Sequence, residues 1–293
     1  MNVNKKNILT AYIFVIPTLI VLAIVIFFPM LKTVYLSFFN VSFITTTPKF
    51  IGFGNYIKIL SSPLFLKVLI NSIIWTGVVV FFQFFFGLLV ALILNRQIVG
   101  KGLIRTLILI PWVIPGVVVA IVWRLMYDPQ LGIINSFLMR LGLLDSYFPW
   151  LGEQKTALLA LIIVAIWKGF PFSAVMYLAA LQGVDKELVE ASMIDGANYF
   201  QRLIRVIIPQ ISYIIKLALL LTTVWTFNYF EIIYVATNGG PNNSTEIFPT
   251  IIYDTAFSQV KYSFASTYAV ISVLILLIFS LLYIRQLNKT GVI

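Results

Sequence analysis

Residues Leu181–Gln210, LQGVDKELVEASMIDGANYFQRLIRVIIPQ, decide how this chain is read. They lie between two long apolar runs and contain no membrane-length apolar run of their own. Helical periodicity divides them in two. Asp185 is placed to cap a short helix that carries Lys186, Glu187 and Glu190. Gly196 then offers a residue free to take positive φ, so the chain can turn there. Beyond it Phe200, Leu203, Ile204, Ile207 and Ile208 recur at helical spacing, with Arg202 and Arg205 on the other face. Pro209 is expected to close that pattern. The spacing predicts a helix–turn–helix at a membrane surface with a polar ridge held outward; an ordinary amphipathic loop satisfies the same periodicity.

Composition sets the environment. The chain has 293 residues, of which 61% are hydrophobic and 10% charged, whereas soluble domains carry about 25% charged residues. An integral membrane protein follows. The net charge of +10 is not a nucleic-acid footprint, because the basic residues form no stripe and fall between apolar runs; no nucleic-acid partner is expected, and the bilayer is. Cys and His are both absent, which removes disulfides, thiolate metal sites and a histidine base. No Walker-type lysine loop or other nucleotide-binding glycine pattern occurs, so no cofactor is expected and the chain does not itself hydrolyse ATP.

Six apolar runs are long enough to cross a bilayer, at about 11–31, 66–94, 103–126, 156–181, 210–237 and 264–284, around a loop at 182–209. The chain is therefore expected to be a single transmembrane domain over 1–293. The first run follows Lys5 and Lys6 and is too long for a signal-peptide core, so it is expected to be retained, with Pro17 and Pro29 kinking its ends. Phe53 and Tyr56, and later Tyr147 and Trp150, suit the headgroup level. The third run contains Pro111, Pro115 and Gly116, which serve either as hinges or as packing kinks. Lys and Arg are denser per residue on the side that holds Lys5, Lys6, Arg96, Lys101, the 182–209 loop, Arg285 and Lys289. That bias puts both termini and the loop in the cytoplasm.

Glu231 is the acidic residue within a deep apolar run, and an intramembrane ionisable group marks function by default. It is either a ligand contact or the partner of Lys168 in the fourth span. Thr222 and Thr226 share a helix face, with Asn228 and Tyr229 one turn on. Hydroxyl, amide and aromatic groups on one helix suit a polyhydroxylated ligand, although polar groups also bond helices together in membranes.

Glu190-Ala191-Ser192, then Asp195-Gly196-Ala197, then Pro209, closely resembles the EAA loop of ABC-importer permeases, with Ser192 in place of the second alanine. The third-run pattern R-x-L-x-L-I-P-W-x-I-P (Arg105–Pro115), WKGFPF in the fourth, and T-N-G-G-P (Thr237–Pro241), S-T-E (Ser244–Glu246) and Y-x-x-A-F (Tyr253–Phe257) are similar to the carbohydrate branch of that family. The likeness extends from about Leu103 onward. It implies an all-α membrane protein of six transmembrane helices in the type I importer fold, whose loop is the coupling helix. It also implies a second homologous permease, a cytoplasmic ATP-binding subunit dimer and an extracellular or periplasmic solute-binding protein as partners, with a sugar as substrate and a cell-membrane location. Coupling to the ATPase would fall to Glu190, Ala191, Ser192, Asp195, Gly196 and Ala197. The substrate path would be lined by Thr222, Thr226, Asn228, Tyr229 and Glu231, with Trp167 and Phe170 opposite. The chain is similar to the shorter form of the family, lacking extra N-terminal spans and a large external domain. A glycerol-3-phosphate or other polyol-phosphate importer remains open at this point. So does an ion-coupled secondary carrier using Glu231, while a membrane enzyme would need an acid/base set that is missing.

Overall fold

The structure is a computed structural model that describes residues 5–41, 47–96 and 98–289, with side chains from 14 to 287 within those stretches; the side chains of Lys5, Lys6 and Lys289 lie outside the description. In chain order the elements are α1 (Lys5–Leu22), α2 (Phe28–Ser37), β1 (Phe39–Asn40), β2 (Lys49–Phe50), α3 (Gly54–Leu60) and α4 (Pro63–Asn95). They continue with α5 (Lys101–Val113), α6 (Gly116–Met126), α7 (Ile133–Arg140), α8 (Ala157–Gln182), α9 (Lys186–Ile194) and α10 (Tyr199–Arg202). The last four are α11 (Ile208–Phe227), α12 (Glu231–Thr237), α13 (Phe248–Tyr253) and α14 (Tyr262–Lys289). Among the described residues five helices are long and apolar enough to cross a membrane, or six if the bent pair α5–α6 is one span. The fold is all-α apart from the short β1–β2 ladder, which pairs Phe39 with Phe50 and Asn40 with Lys49.

The chain divides into two compact units, residues 1–65 with 251–274 and residues 66–250 with 275–293. In the first, α1 runs into α2 through a π turn at Ala23–Phe27, where the Phe28 N–H reaches back to the Ala23 carbonyl. Pro29 follows in the first turn of α2. A prolyl ring clashes with the carbonyl four residues earlier in an α-helix, and the widened turn relieves that crowding. The first span therefore ends at Ser37 rather than near 31, and Pro17 and Pro29 lie within it instead of at its ends. Buried Asn55 donates to the Ser37 and Phe39 carbonyls at 2.9 and 2.8 Å, taking up backbone acceptors that the end of α2 leaves free.

The second unit is a helix bundle in which a glycine brings α4 close to α8. A Cβ on Gly87 of α4 would meet the Ser173 side chain and the Ala174 backbone of α8, so only glycine lets these helices touch there. Around that point Ala91, Leu94, Tyr177, Leu178, Leu181, Ile211 and Ile215 form one buried cluster. Trp75 is fully buried and donates to the Thr226 carbonyl at 2.9 Å, tying α4 to the end of α11.

Three expectations need correction here. The third span is not one helix: α5 and α6 meet at 92°. Ile114 and Pro115 between them are extended, with ψ 132° and 139°, because a proline drives the residue before it out of the helical region. Pro209 does not close the amphipathic pattern. The chain runs from α10 through a π turn at Leu203–Ile207 into α11, and Pro209 enters its first turn as Pro29 enters α2. The fifth span is interrupted at Asn228–Phe230, so Glu231 begins α12 rather than sitting deep within a continuous run.

Candidate functional site

A cavity of about 380 Å³ lies in the second unit, walled by Val79 and Gln83 of α4, Ala165, Lys168, Gly169 and Phe172 of α8, Thr222, Trp225 and Thr226 of α11, and the α5–α6 break. The α4 and α8 residues come from the middle of their helices. Non-helical backbone at membrane depth is tolerated where it lines such a space, and Trp112, Ile114, Pro115 and Gly116 do line it.

The break is held by two charges. The Lys168 ammonium donates to the Ile114 carbonyl at 2.6 Å and the Trp112 carbonyl at 3.3 Å. These groups have lost their helical partners at the end of α5, and a cation also complements the negative end of the helix dipole. At the other side of the break the Glu231 carboxylate rests on Gly116, the first residue of α6; a Cβ at 116 would collide with it. A carboxylate is favoured at that positive helix end. Among the described residues no hydrogen bond or ion-pair contact reaches Glu231, so Lys168 and Glu231 interact through their charges across the break, each seated on its own helix end, rather than by direct contact.

Aromatic and polar groups complete the lining. Phe172 stands between Trp112 and Trp225, with ring centroids 5.9 and 4.9 Å away. Thr222 donates its hydroxyl to the Ala218 and Leu219 carbonyls at 2.8 and 3.1 Å. Gln83 donates to the Ala165 carbonyl at 3.0 Å and lies over Gly169, where a side chain would displace it. The buried Tyr229 hydroxyl has no partner.

Of the residues expected on the substrate path, Thr222, Thr226, Tyr229 and Glu231 converge on this cavity. Asn228 does not; it is exposed and bonds back to the Val224 carbonyl at 2.8 Å. Trp167 and Phe170 are also elsewhere: they lie on another face of α8, along an apolar groove with Phe82, Phe86, Ile163 and Ile166. Sequence reasoning missed Gln83, Trp112, Phe172 and Trp225. The signals present were the lone amide in VVVFFQFFFG and the tryptophan of LIPWVIPG.

A second feature lies beyond the ends of α8 and α11. Asp185 accepts from the Glu187 N–H at 2.8 Å and so caps α9. Its own N–H donates to the Gln210 side chain of α11 at 2.9 Å, clasping the two limbs of the ledge at their base. Gly196 turns the chain at φ +78°. Asn198 and Gln201 then exchange side-chain and backbone hydrogen bonds in a complete capping box. Glu190, Ala191, Asp195 and Gly196 are exposed; Ser192 and Ala197 are half-buried. Ser192 donates to the Val189 carbonyl at 2.6 Å, and the Ala197 carbonyl accepts from Arg202 at 2.7 Å. Leu188, Met193 and Ile194 are exposed on the same short helix, Ile194 at 87%. A cavity of about 500 Å³ beside it is lined by Asn95, Gln182, Lys186, Glu190 and Ile207 among others. Such an apolar outcrop on a polar segment marks a binding surface.

Comparison with known proteins identifies the assembly type. Residues 83–290 match the family described as binding-protein-dependent transport system inner membrane component. The chain is 32% identical over 291 residues to a probable ABC transporter permease protein, YurN, of Bacillus subtilis, covering 99% of both chains. It is 33% identical to the trehalose/maltose transport system permease protein MalF of Thermococcus litoralis, over 94% of this chain and 92% of that one. Its fold matches a chain of a bacterial ABC transporter involved in the import of the acidic polysaccharide alginate, with TM-score 0.85, 23% identity and coverage of 97% and 96%. This mainly helical chain, with a broken helix at a polar cavity and a clasped ledge between α8 and α11, belongs to the family of binding-protein-dependent transport system inner membrane components.

Proposed function

We propose that this chain is a permease subunit of an ATP-driven, binding-protein-dependent importer of sugars or oligosaccharides. It forms the translocation path with a second, similar permease. Two copies of a cytoplasmic ATP-binding subunit dock against α9, and a solute-binding protein delivers ligand from outside. Both termini and the ledge face the cytoplasm, in keeping with the Lys and Arg bias. Glu190, Ala191, Ser192, Asp195, Gly196 and Ala197 form the docking ledge. Thr222, Thr226, Tyr229 and Glu231 contact the ligand.

One observation carries this reading. Two helices that wall the cavity, α8 through its middle and α11 through its far end, are the same two that meet the ledge, and the Asp185–Gln210 bond joins them there. Closure of the ATPase dimer pushes α9, and the push travels along both helices to the cavity. For ATP to move the ligand, the ligand must bind the inward- and outward-facing states differently. An aromatic wall with hydroxyl and carboxylate groups suits the apolar faces and hydroxyls of a sugar. Relatives named for trehalose, maltose and alginate support the same class.

The test is Glu190→Lys and Gly196→Leu in the complete complex, scored for uptake and for recovery of the ATPase with the permeases. Leu at 196 must adopt a φ that L-residues disfavour, and Lys at 190 reverses an exposed charge. Loss of uptake, of assembly or of both is expected; normal values for both would refute coupling through the ledge. Uptake by the purified chain without nucleotide or companions would instead make it an ion-coupled carrier.

A further inference from the structure

The importer reading leaves the charge of the cargo open: one relative is named for the neutral disaccharides trehalose and maltose, and a protein of the same fold serves the import of the acidic polysaccharide alginate. The cavity carries two charged side chains, and they are not equally available. Lys168 spends two of its three N–H donors on the Ile114 and Trp112 carbonyls, so its charge is aimed into the end of α5. Glu231 accepts no hydrogen bond among the described residues and is exposed on the lining. The neutral groups lean the same way. The Thr222 hydroxyl and the Gln83 amide N–H are committed as donors to backbone carbonyls, which leaves their oxygens as acceptors. The walls therefore offer the acceptors of Glu231, Thr222 and Gln83 beside the unpartnered Tyr229 hydroxyl, and the exposed charge on the lining is the Glu231 carboxylate, with the Lys168 ammonium near enough to interact with it.

We infer that this cavity selects a neutral, hydroxyl-rich ligand and turns anions away, with Glu231 as the selecting charge. The inference rests on the sugar-importer reading and narrows it. Sugar hydroxyls supply the donors that Glu231, Thr222 and Gln83 lack, while one face of the ring lies on Trp112, Phe172 or Trp225. A phosphate or carboxylate group meets the Glu231 charge and finds an ammonium already engaged, which argues against a polyol-phosphate cargo. At cavity depth, unlike at an exposed surface, the repulsion is only weakly screened by salt.

The test uses the complete permease–ATPase complex in detergent, without the binding protein, which imposes its own selectivity. Tryptophan fluorescence is followed during titration with neutral di- and trisaccharides, with glucuronate-containing disaccharides of matched length, and with glycerol 3-phosphate. Trp225→Phe reports whether the signal arises in the cavity. The neutral sugars are expected to quench with an affinity at least about tenfold above the anions, as a carboxylate exposed on the lining beside an ammonium turned to the Ile114 and Trp112 carbonyls implies. Glu231→Gln keeps the side-chain shape and removes the charge, so the ratio of neutral-sugar to anion affinity should fall by about tenfold, whatever the change in neutral-sugar affinity itself. Equal or tighter binding of the anions, or a gap unchanged in Glu231→Gln, overturns the charge inference and leaves the importer reading intact. Absence of any response to neutral or acidic sugar, in a complex whose ATPase is active, overturns the sugar reading and this inference together.

Discussion

Two prolines in long apolar helices meet opposite fates in this molecule. At Pro115 the chain turns through 92° and never resumes the old axis. At Pro209 the helix runs on, widened by one π turn. Both residues lack the N–H a helix needs and both carry the ring that crowds the preceding turn. The difference lies in what receives the freed backbone. Around Pro115 a lysine takes the loose carbonyls, a carboxylate sits on the new helix start, and a cavity accepts the irregular segment. Around Pro209, among the described residues, no lysine or carboxylate hydrogen bond takes up the loosened turn, and the cheaper answer is to widen it. A break in a membrane helix is thus a property of the neighbours as much as of the proline.

That contrast can be broken at three points. Lys168→Met should have the largest effect. It strips the ammonium from two backbone carbonyls, one of them part-buried, at a cost on the order of 1–2 kcal/mol. The complex should melt earlier in detergent and lose uptake, while Lys168→Arg, which keeps its donors, should recover most of both. A Met variant as stable as the parent would show that the clamp on α5 is idle. Pro115→Ala comes next. It removes the constraint on Ile114 and gives back a helical option worth about 3 kcal/mol against proline. The complex should assemble, but cysteine cross-links between α6 and α12 should weaken and uptake should fall. Pro209→Ala is expected to do least: stability within about 0.5 kcal/mol and uptake within about twofold, since the helix is already continuous there. A large effect at 209 would mean that the π turn is needed for motion and not merely tolerated.

Much of the frame is legible in the residues. Asp185, Gly196 and Asn198 are cap and turn residues whose chemistry is local, so the ledge could be drawn from sequence to within a residue or two. The spans follow from length and apolarity alone. The faces of the helices do not. In water a buried stripe stands out against polar positions, but a bilayer makes the outward face as apolar as the inward one, and the periodicity fades. Trp167 and Phe170 look as suitable for a sugar wall as Phe172, and only packing shows that α8 presents Lys168, Gly169 and Phe172 to the cavity. The interruption at Asn228–Phe230 was hidden for another reason: NYF contains neither glycine nor proline, and the chain breaks there without a local signal.

The 2.9 Å bond between the Asp185 amide and the Gln210 side chain has a mechanical corollary. Were the feet of α8 and α11 free, a blow on α9 would splay them, and each would lean by its own amount. Pinned together, they work as a crank: torque applied at the handle swings both shafts through one angle. Lys168 rides on the first shaft, and Glu231 follows the end of the second. On the proposed coupling, the two charges that grip the bent helix would travel in step, and the bend would be carried bodily rather than pried open from one side.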